Sequence, residues 1–71
     1  MLWKKYYLNG IDRTESVDMT FEQAVAELEL LFEFDQSVAR IEQMKMQNGT
    51  QSVSVKNLEN KILIQYKTVI D

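Results

Sequence analysis

The sequence contains no cysteine, no histidine and no proline, and it has only two glycines. Without cysteine the chain can form no disulfide, thiolate zinc site or thiol nucleophile, and without histidine it lacks the commonest general base and metal ligand. These absences exclude most hydrolase mechanisms.

The acidic residues do not supply a catalytic or metal-binding pattern in their place. Glu29 and Glu33 have i, i+4 spacing, but paired catalytic carboxylates need a cleft that separates their pKa values, and one small helix makes no cleft. Asp12, Glu15 and Asp18 lack the spacing and the glycine of a calcium-binding loop. We therefore expect no enzymatic activity, no metal and no cofactor.

Long apolar runs are also missing, since none exceeds three residues. Neither a transmembrane helix nor a secretory signal fits this pattern, which predicts a cytoplasmic protein with no membrane association. The 71 residues suffice for a single domain over residues 1–71. A chain of this size buries only about 60% of its unfolded surface, so self-association is a natural source of added stability.

Charge is distributed unevenly along this small acidic protein. The net charge is only −3, but residues 14–39 contain seven acidic residues and no lysine or arginine. The flanking segments are each weakly basic. We expect an electrically polar molecule.

Both glycines follow asparagine, at Asn9-Gly10 and Asn48-Gly49, and this dipeptide favours two-residue type I′ hairpin turns. The first turn predicts a hairpin from Leu2 to Leu8 with a return strand from Ile11. Thr20 and Gln23 have the spacing of a capping box, which predicts a helix that runs to Glu33 or Phe34. Helical periodicity places these residues on its core face: Phe21, Ala24, Val25, Leu28, Leu31 and Phe32.

Residues 37–47 have helix-favouring composition, but hairpin pairing favours a strand. If Asn48-Gly49 is a two-residue turn, Met44 faces Val53 and Met46 faces Gln51. In this register Ile41 falls on the wrong face unless a bulge lies near Glu42. The last strand alternates more regularly, through Ile62, Ile64, Tyr66 and Ile70.

The predicted fold is α+β, in the order ββαβββ, with one amphipathic helix packed on one face of an antiparallel sheet. The sheet face under the helix is predicted to consist of Met44, Met46, Val53, Val55, Ile62 and Ile64, covered by Phe21, Leu28 and Phe32.

Leu30 and Phe34 project opposite the core face of the helix, where they cannot reach the sheet. An apolar i, i+4 pair on an outer helix surface indicates a contact with another molecule, unless the helix ends before Phe34 or the loops fold over this face. We predict a protein-binding site at Glu22, Glu27, Glu29, Leu30, Glu33 and Phe34. Its closely spaced carboxylates are either an ordinary solvated helix face or a mimic of the phosphate backbone of a nucleic acid. In the second case they would bind a basic groove on a partner protein.

The segment Trp3-Lys4-Lys5-Tyr6-Tyr7 interleaves aromatic and basic residues, as a single-strand nucleic-acid platform does. Lysines that protect a sheet edge, with the aromatic rings in the core, explain the segment better. The overall acidity favours the second interpretation and makes nucleic acid an unlikely partner.

In style the chain resembles small proteins of phages and mobile elements of low-GC bacteria, through Tyr6-Tyr7-Leu8-Asn9-Gly10 and the acidic helix that follows. This is a resemblance of type and points to no family. It implies an accessory or inhibitor protein that binds a host defence or nucleic-acid enzyme with a basic surface. The alternatives are a small nucleic-acid-binding module that uses an aromatic and basic sheet surface, and a structural homodimer in a larger assembly.

Overall fold

A computed structural model describes residues 1–69 of the chain, so the predicted position of Ile70 lies outside the described residues. The elements are β1 (Leu2–Leu8), β2 (Ile11–Val17), α1 (Phe21–Phe34), β3 (Arg40–Lys45), β4 (Gln51–Lys56) and β5 (Ile62–Thr68). This is the predicted ββαβββ order, and the ambiguous segment before the second Asn-Gly pair is a strand.

The five strands form one open antiparallel sheet in the order β2-β1-β5-β4-β3. The last strand therefore lies in the middle and joins the two hairpins. The helix α1 packs on β3, β4 and β5. The predicted fold class, a small α+β protein with one helix on one sheet face, is confirmed.

The first hairpin has the predicted type I′ turn. Asn9 and Gly10 both have positive φ, at 52° and 77°, and Leu8 pairs with Ile11. Two positive φ angles match the right-handed twist of the flanking strands. The return strand is confirmed as far as Val17.

The second hairpin differs from the prediction because its loop has three residues instead of two. The amide of Met46 donates to the carbonyl of Thr50 at 2.8 Å, and the amide of Gly49 donates to the carbonyl of Met46 at 3.0 Å. Gly49 has a φ of 89°, whereas Asn48 is not among the residues with positive φ. This is the pattern of a type I turn closed by a glycine bulge.

The longer loop shifts the register by one residue and so reverses the faces of β3. Met44 pairs with Ser52, and Ile41 pairs with Val55. The predicted core positions of Met44 and Met46 are therefore wrong, and their side chains are 57% and 52% exposed. The same shift directs Ile41 into the core without the bulge near Glu42 that the two-residue turn would have required.

The helix begins at the predicted capping box. The Gln23 amide donates to Thr20 Oγ1 at 3.1 Å, and the Thr20 amide donates to Gln23 Oε1 at 2.9 Å. After Phe34 the Asp35 carboxylate accepts hydrogen bonds from the Ser37 hydroxyl and amide, which lower the pKa of Asp35. These local bonds account for both ends of α1.

The core lies between α1 and the middle of the sheet. Its buried apolar residues are Leu2, Ala24, Leu28, Val38, Val53, Val55 and Tyr66, with Phe21, Ile64 and other half-buried side chains around them. Phe32 was predicted to cover the sheet, but it is 46% exposed. Phe32 lies in the last turn of α1, one turn beyond Leu28, and the fully buried residues of the helix are Ala24 and Leu28.

Leu28→Ala should reduce the free energy of unfolding by about 2 to 5 kcal/mol, because Leu28 is fully buried and the substitution leaves a cavity. Leu30→Ala is the matched control, since Leu30 lies in the same helix at 57% exposure. Urea unfolding followed by circular dichroism measures both. Equal losses for the two variants would contradict the packing of α1.

The register of the second hairpin predicts that Ile41→Ala destabilises the protein by about 1 kcal/mol or more, while Met44→Ala changes its stability by less than about 0.5 kcal/mol. Ile41 packs on the core and Met44 is exposed. The same urea titrations measure the difference. A larger loss of stability in Met44→Ala than in Ile41→Ala would support the two-residue turn instead.

Candidate functional site

The outer side of α1 carries all six residues of the predicted protein-binding site, and all six are exposed. We call them the helix surface: Glu22, Glu27, Glu29, Leu30, Glu33 and Phe34. Leu30 is 57% exposed and Phe34 is 74% exposed. At 100° per residue these two side chains point about 40° apart, on the side of the helix away from Leu28.

The carboxylates of the helix surface are not neutralised by nearby cations. Residues 1–69 form three salt bridges, Lys5 with Asp12, Lys56 with Glu42 and Lys61 with Glu59, and none involves α1. The last turn of the helix contains no basic residue. The four glutamates of the helix surface therefore form no salt bridge in the described part of the chain.

Glu27 differs from the other glutamates because it also binds the core. Its Oε2 accepts a hydrogen bond of 2.8 Å from the hydroxyl of Tyr66, which is only 2% exposed. Burial of the ring, the hydrogen bond to Glu27 and the negative charge of that carboxylate raise the pKa of Tyr66 above its ordinary value. Glu27 thus positions α1 over β5 as well as contributing negative charge.

The other side of the sheet carries no helix in the described part of the chain. Because successive strand residues point to opposite faces, the burial of Leu2 directs Trp3, Lys5 and Tyr7 away from α1. Trp3 is 43% exposed and Tyr7 is 53% exposed. The expectation that the aromatic residues of β1 lie in the core is wrong for these two side chains.

This open sheet face is basic. We define it by the residues that strand alternation directs away from α1, which include Trp3, Lys5, Tyr7, Asp12, Arg40, Glu42, Met44, Ser52, Ser54, Lys56, Gln65 and Lys67. Its four cations outnumber its two carboxylates. The sequence predicted an aromatic and basic sheet surface with Trp3, Lys4 and Lys5, but strand alternation places Lys4 on the other face, with Leu2, and Tyr7 on the open sheet face.

We also searched the described residues for a surface depression and for clusters of metal-ligating side chains. A shallow depression of about 230 Å³ is lined by Phe21, Gln43, Met44, Lys45 and Gln51, with no carboxylate among them. No group of three potential metal ligands converges within residues 1–69. Across the same residues, the helical structure lacks the length and apolarity needed to cross a membrane.

Comparison with known proteins adds no relative: no family model matches the chain, and no curated protein or solved structure is significantly similar to it.

The Tyr66 hydrogen bond predicts a specific pH dependence. Because folding raises the pKa of Tyr66, its contribution to stability is present below the ordinary tyrosine pKa of about 10 and declines as the pH rises above it. Tyr66→Phe removes this contribution. The stability difference between the wild type and Tyr66→Phe should therefore narrow between pH 8 and pH 11, as measured by urea unfolding.

Tyr7→Phe is the control for this measurement, because Tyr7 is an exposed tyrosine on the other face of the sheet. It removes a hydroxyl that does not bind Glu27, so it shows what the loss of an exposed tyrosine hydroxyl does by itself. A difference between the wild type and Tyr66→Phe that does not narrow up to pH 11 would contradict the burial of Tyr66 and its hydrogen bond to Glu27.

Proposed function

We propose that this protein is a non-enzymatic accessory or inhibitor protein that binds a basic protein partner through the helix surface. The observation that carries the proposal is the exposed Leu30 and Phe34 pair, set among glutamates that have no salt-bridge partner in residues 1–69. Apolar and charged contacts would have distinct roles in such a complex.

The apolar pair supplies the part of the affinity that does not depend on salt. Phe34 is 74% exposed, and burying an aromatic side chain of this kind in a partner's pocket contributes about 1.5 to 3 kcal/mol. Large side chains that become fully desolvated at the centre of an interface dominate binding energy. Leu30 and Phe34 lie one turn apart, so one pocket accommodates both.

The glutamates supply attraction over distance and select for a basic partner. Glu29 and Glu33 lie one helical turn apart, with about 6 Å between them, and Glu22 lies about 10 Å farther along the axis. A row of negative charges along one side of a helix offers a basic groove the same sign of charge as a nucleic-acid backbone. The proposed target is therefore a cytoplasmic protein whose basic groove ordinarily holds nucleic acid, such as a host defence enzyme.

Reversing the charges of Glu22, Glu29 and Glu33 to lysine should lower the association rate at least tenfold at low salt, with little change in dissociation. Exposed charges accelerate encounter and are screened over about 8 Å at physiological salt. Changing both Leu30 and Phe34 to serine should instead accelerate dissociation. Capture of the target from lysate, followed by binding kinetics on the purified target, measures both rates.

A matched pair of single variants serves as the control. Glu29→Lys and Glu59→Lys change the net charge equally, but Glu59 lies in the exposed loop between β4 and β5, outside the helix surface. Only Glu29→Lys should slow association appreciably. An affinity for the target that does not change with these charges or with salt would exclude the mimicry mechanism. If the protein alone sediments as a dimer, and substitution of Leu30 abolishes the dimer, the helix surface binds a second copy of the chain.

A further inference from the structure

The open sheet face has an arrangement of side chains that the proposed function does not use. Along β1, Trp3, Lys5 and Tyr7 alternate aromatic, cation and aromatic on one face, about 13 Å from end to end. On β5, Lys67 pairs directly with Trp3. On β4, Ser52 pairs with Lys67, whose side chain is exposed.

Neither aromatic ring is needed by the core. Trp3 and Tyr7 are among the exposed large hydrophobic side chains, whereas the buried β1 residue is Leu2. Rings held on a rigid strand, with cations beside them, offer stacking surfaces for unpaired bases, and each stacked base contributes about 1 to 3 kcal/mol. The strand β1 is paired on both sides, with β2 and with β5, so this surface is preorganised.

The cations match the phosphates that would accompany such bases. The carboxylate of Asp12 is 3.7 Å from Lys5, but both side chains are nearly half exposed, and exposed pairs of this kind hold their partners weakly. Lys67 forms no salt bridge within residues 1–69. Two lysines are therefore available for phosphate contacts beside the two rings.

The overall acidity of the protein does not cancel this attraction. The glutamates of α1 lie on the opposite side of the sheet from the open sheet face, so an approaching strand is closer to the charges of the sheet than to these glutamates. The open sheet face itself carries four cations and two carboxylates, so its own net charge is positive. The net charge of −3 is a sum over the whole chain, whereas the fold places many of the acidic and basic residues on different surfaces.

We propose that the open sheet face binds single-stranded nucleic acid, with Trp3 and Tyr7 stacking on bases and Lys5 and Lys67 contacting phosphates. A duplex does not fit this mode, because its bases are already stacked. The binding is independent of sequence, since every base has a face that can stack.

The single tryptophan of the chain is Trp3, so its fluorescence reports the site directly. A ten-nucleotide oligothymidylate or oligouridylate should quench Trp3 emission at low salt, and a DNA duplex of equal length should quench it much less. Two phosphate contacts predict a slope of about −1.4 for log K against log salt concentration. Absence of quenching at low salt would overturn the proposal.

Variants separate stacking from general charge attraction. Tyr7→Leu should weaken binding between about fivefold and 150-fold, and Lys67→Gln should reduce the salt slope by about 0.7. Lys61→Gln is the matched control, because Lys61 lies in the exposed loop before β5 and the charge change is the same. Circular dichroism verifies that each variant is folded, and anisotropy of a labelled oligonucleotide allows Trp3→Leu to be tested.

The proposal would be overturned if Lys67→Gln and Lys61→Gln changed oligonucleotide binding equally. It would also be overturned if Trp3 emission changed with protein concentration alone, because a second copy of the chain would then cover this face. Glu29→Lys should leave oligonucleotide binding intact or strengthen it. The proposed function and this inference can therefore fail separately.

Discussion

The structure depends on one constraint: a single helix must bury the apolar side of a five-stranded sheet. Leu28 and Ala24 pack without exposure over β4, whose Val53 and Val55 are also fully buried. A helix with its side chains is about 10 to 12 Å wide, while five strands at about 4.8 Å spacing span roughly twice that width. The helix therefore packs on β3 to β5, whereas Leu2 is the single buried residue of β1 and β2 has none.

This geometry sorts the charges of the chain into two surfaces. The acidic run of the sequence forms α1 and its flanks, so the negative charge collects on the helix side of the molecule. The cations of β1 and β5 that alternate with buried residues, Lys5 and Lys67, point to the other side. The two sides of the protein therefore differ in charge. The charges are already separated along the sequence, and helical periodicity and strand alternation then direct them to opposite sides of the sheet.

The two surfaces were not equally visible in the sequence. The positions of Leu30 and Phe34 on α1 follow from helical periodicity and from the capping box at Thr20, both of which are local. The open sheet face requires knowledge of which strands are neighbours. Trp3 and Lys67 are far apart along the chain, and only the pairing of β1 with β5 brings them together.

The sequence by itself determined the element order, the first hairpin and the helix with its cap, because these depend on contacts between residues close in the chain. It did not determine the second hairpin, since Asn48-Gly49 is compatible with both a two-residue turn and a three-residue loop. With the longer loop, Ile41 packs against the core and Met44 lies in solvent. That choice belongs to tertiary structure, because a shift of one residue exchanges the two faces of a strand and only the packing of α1 distinguishes them.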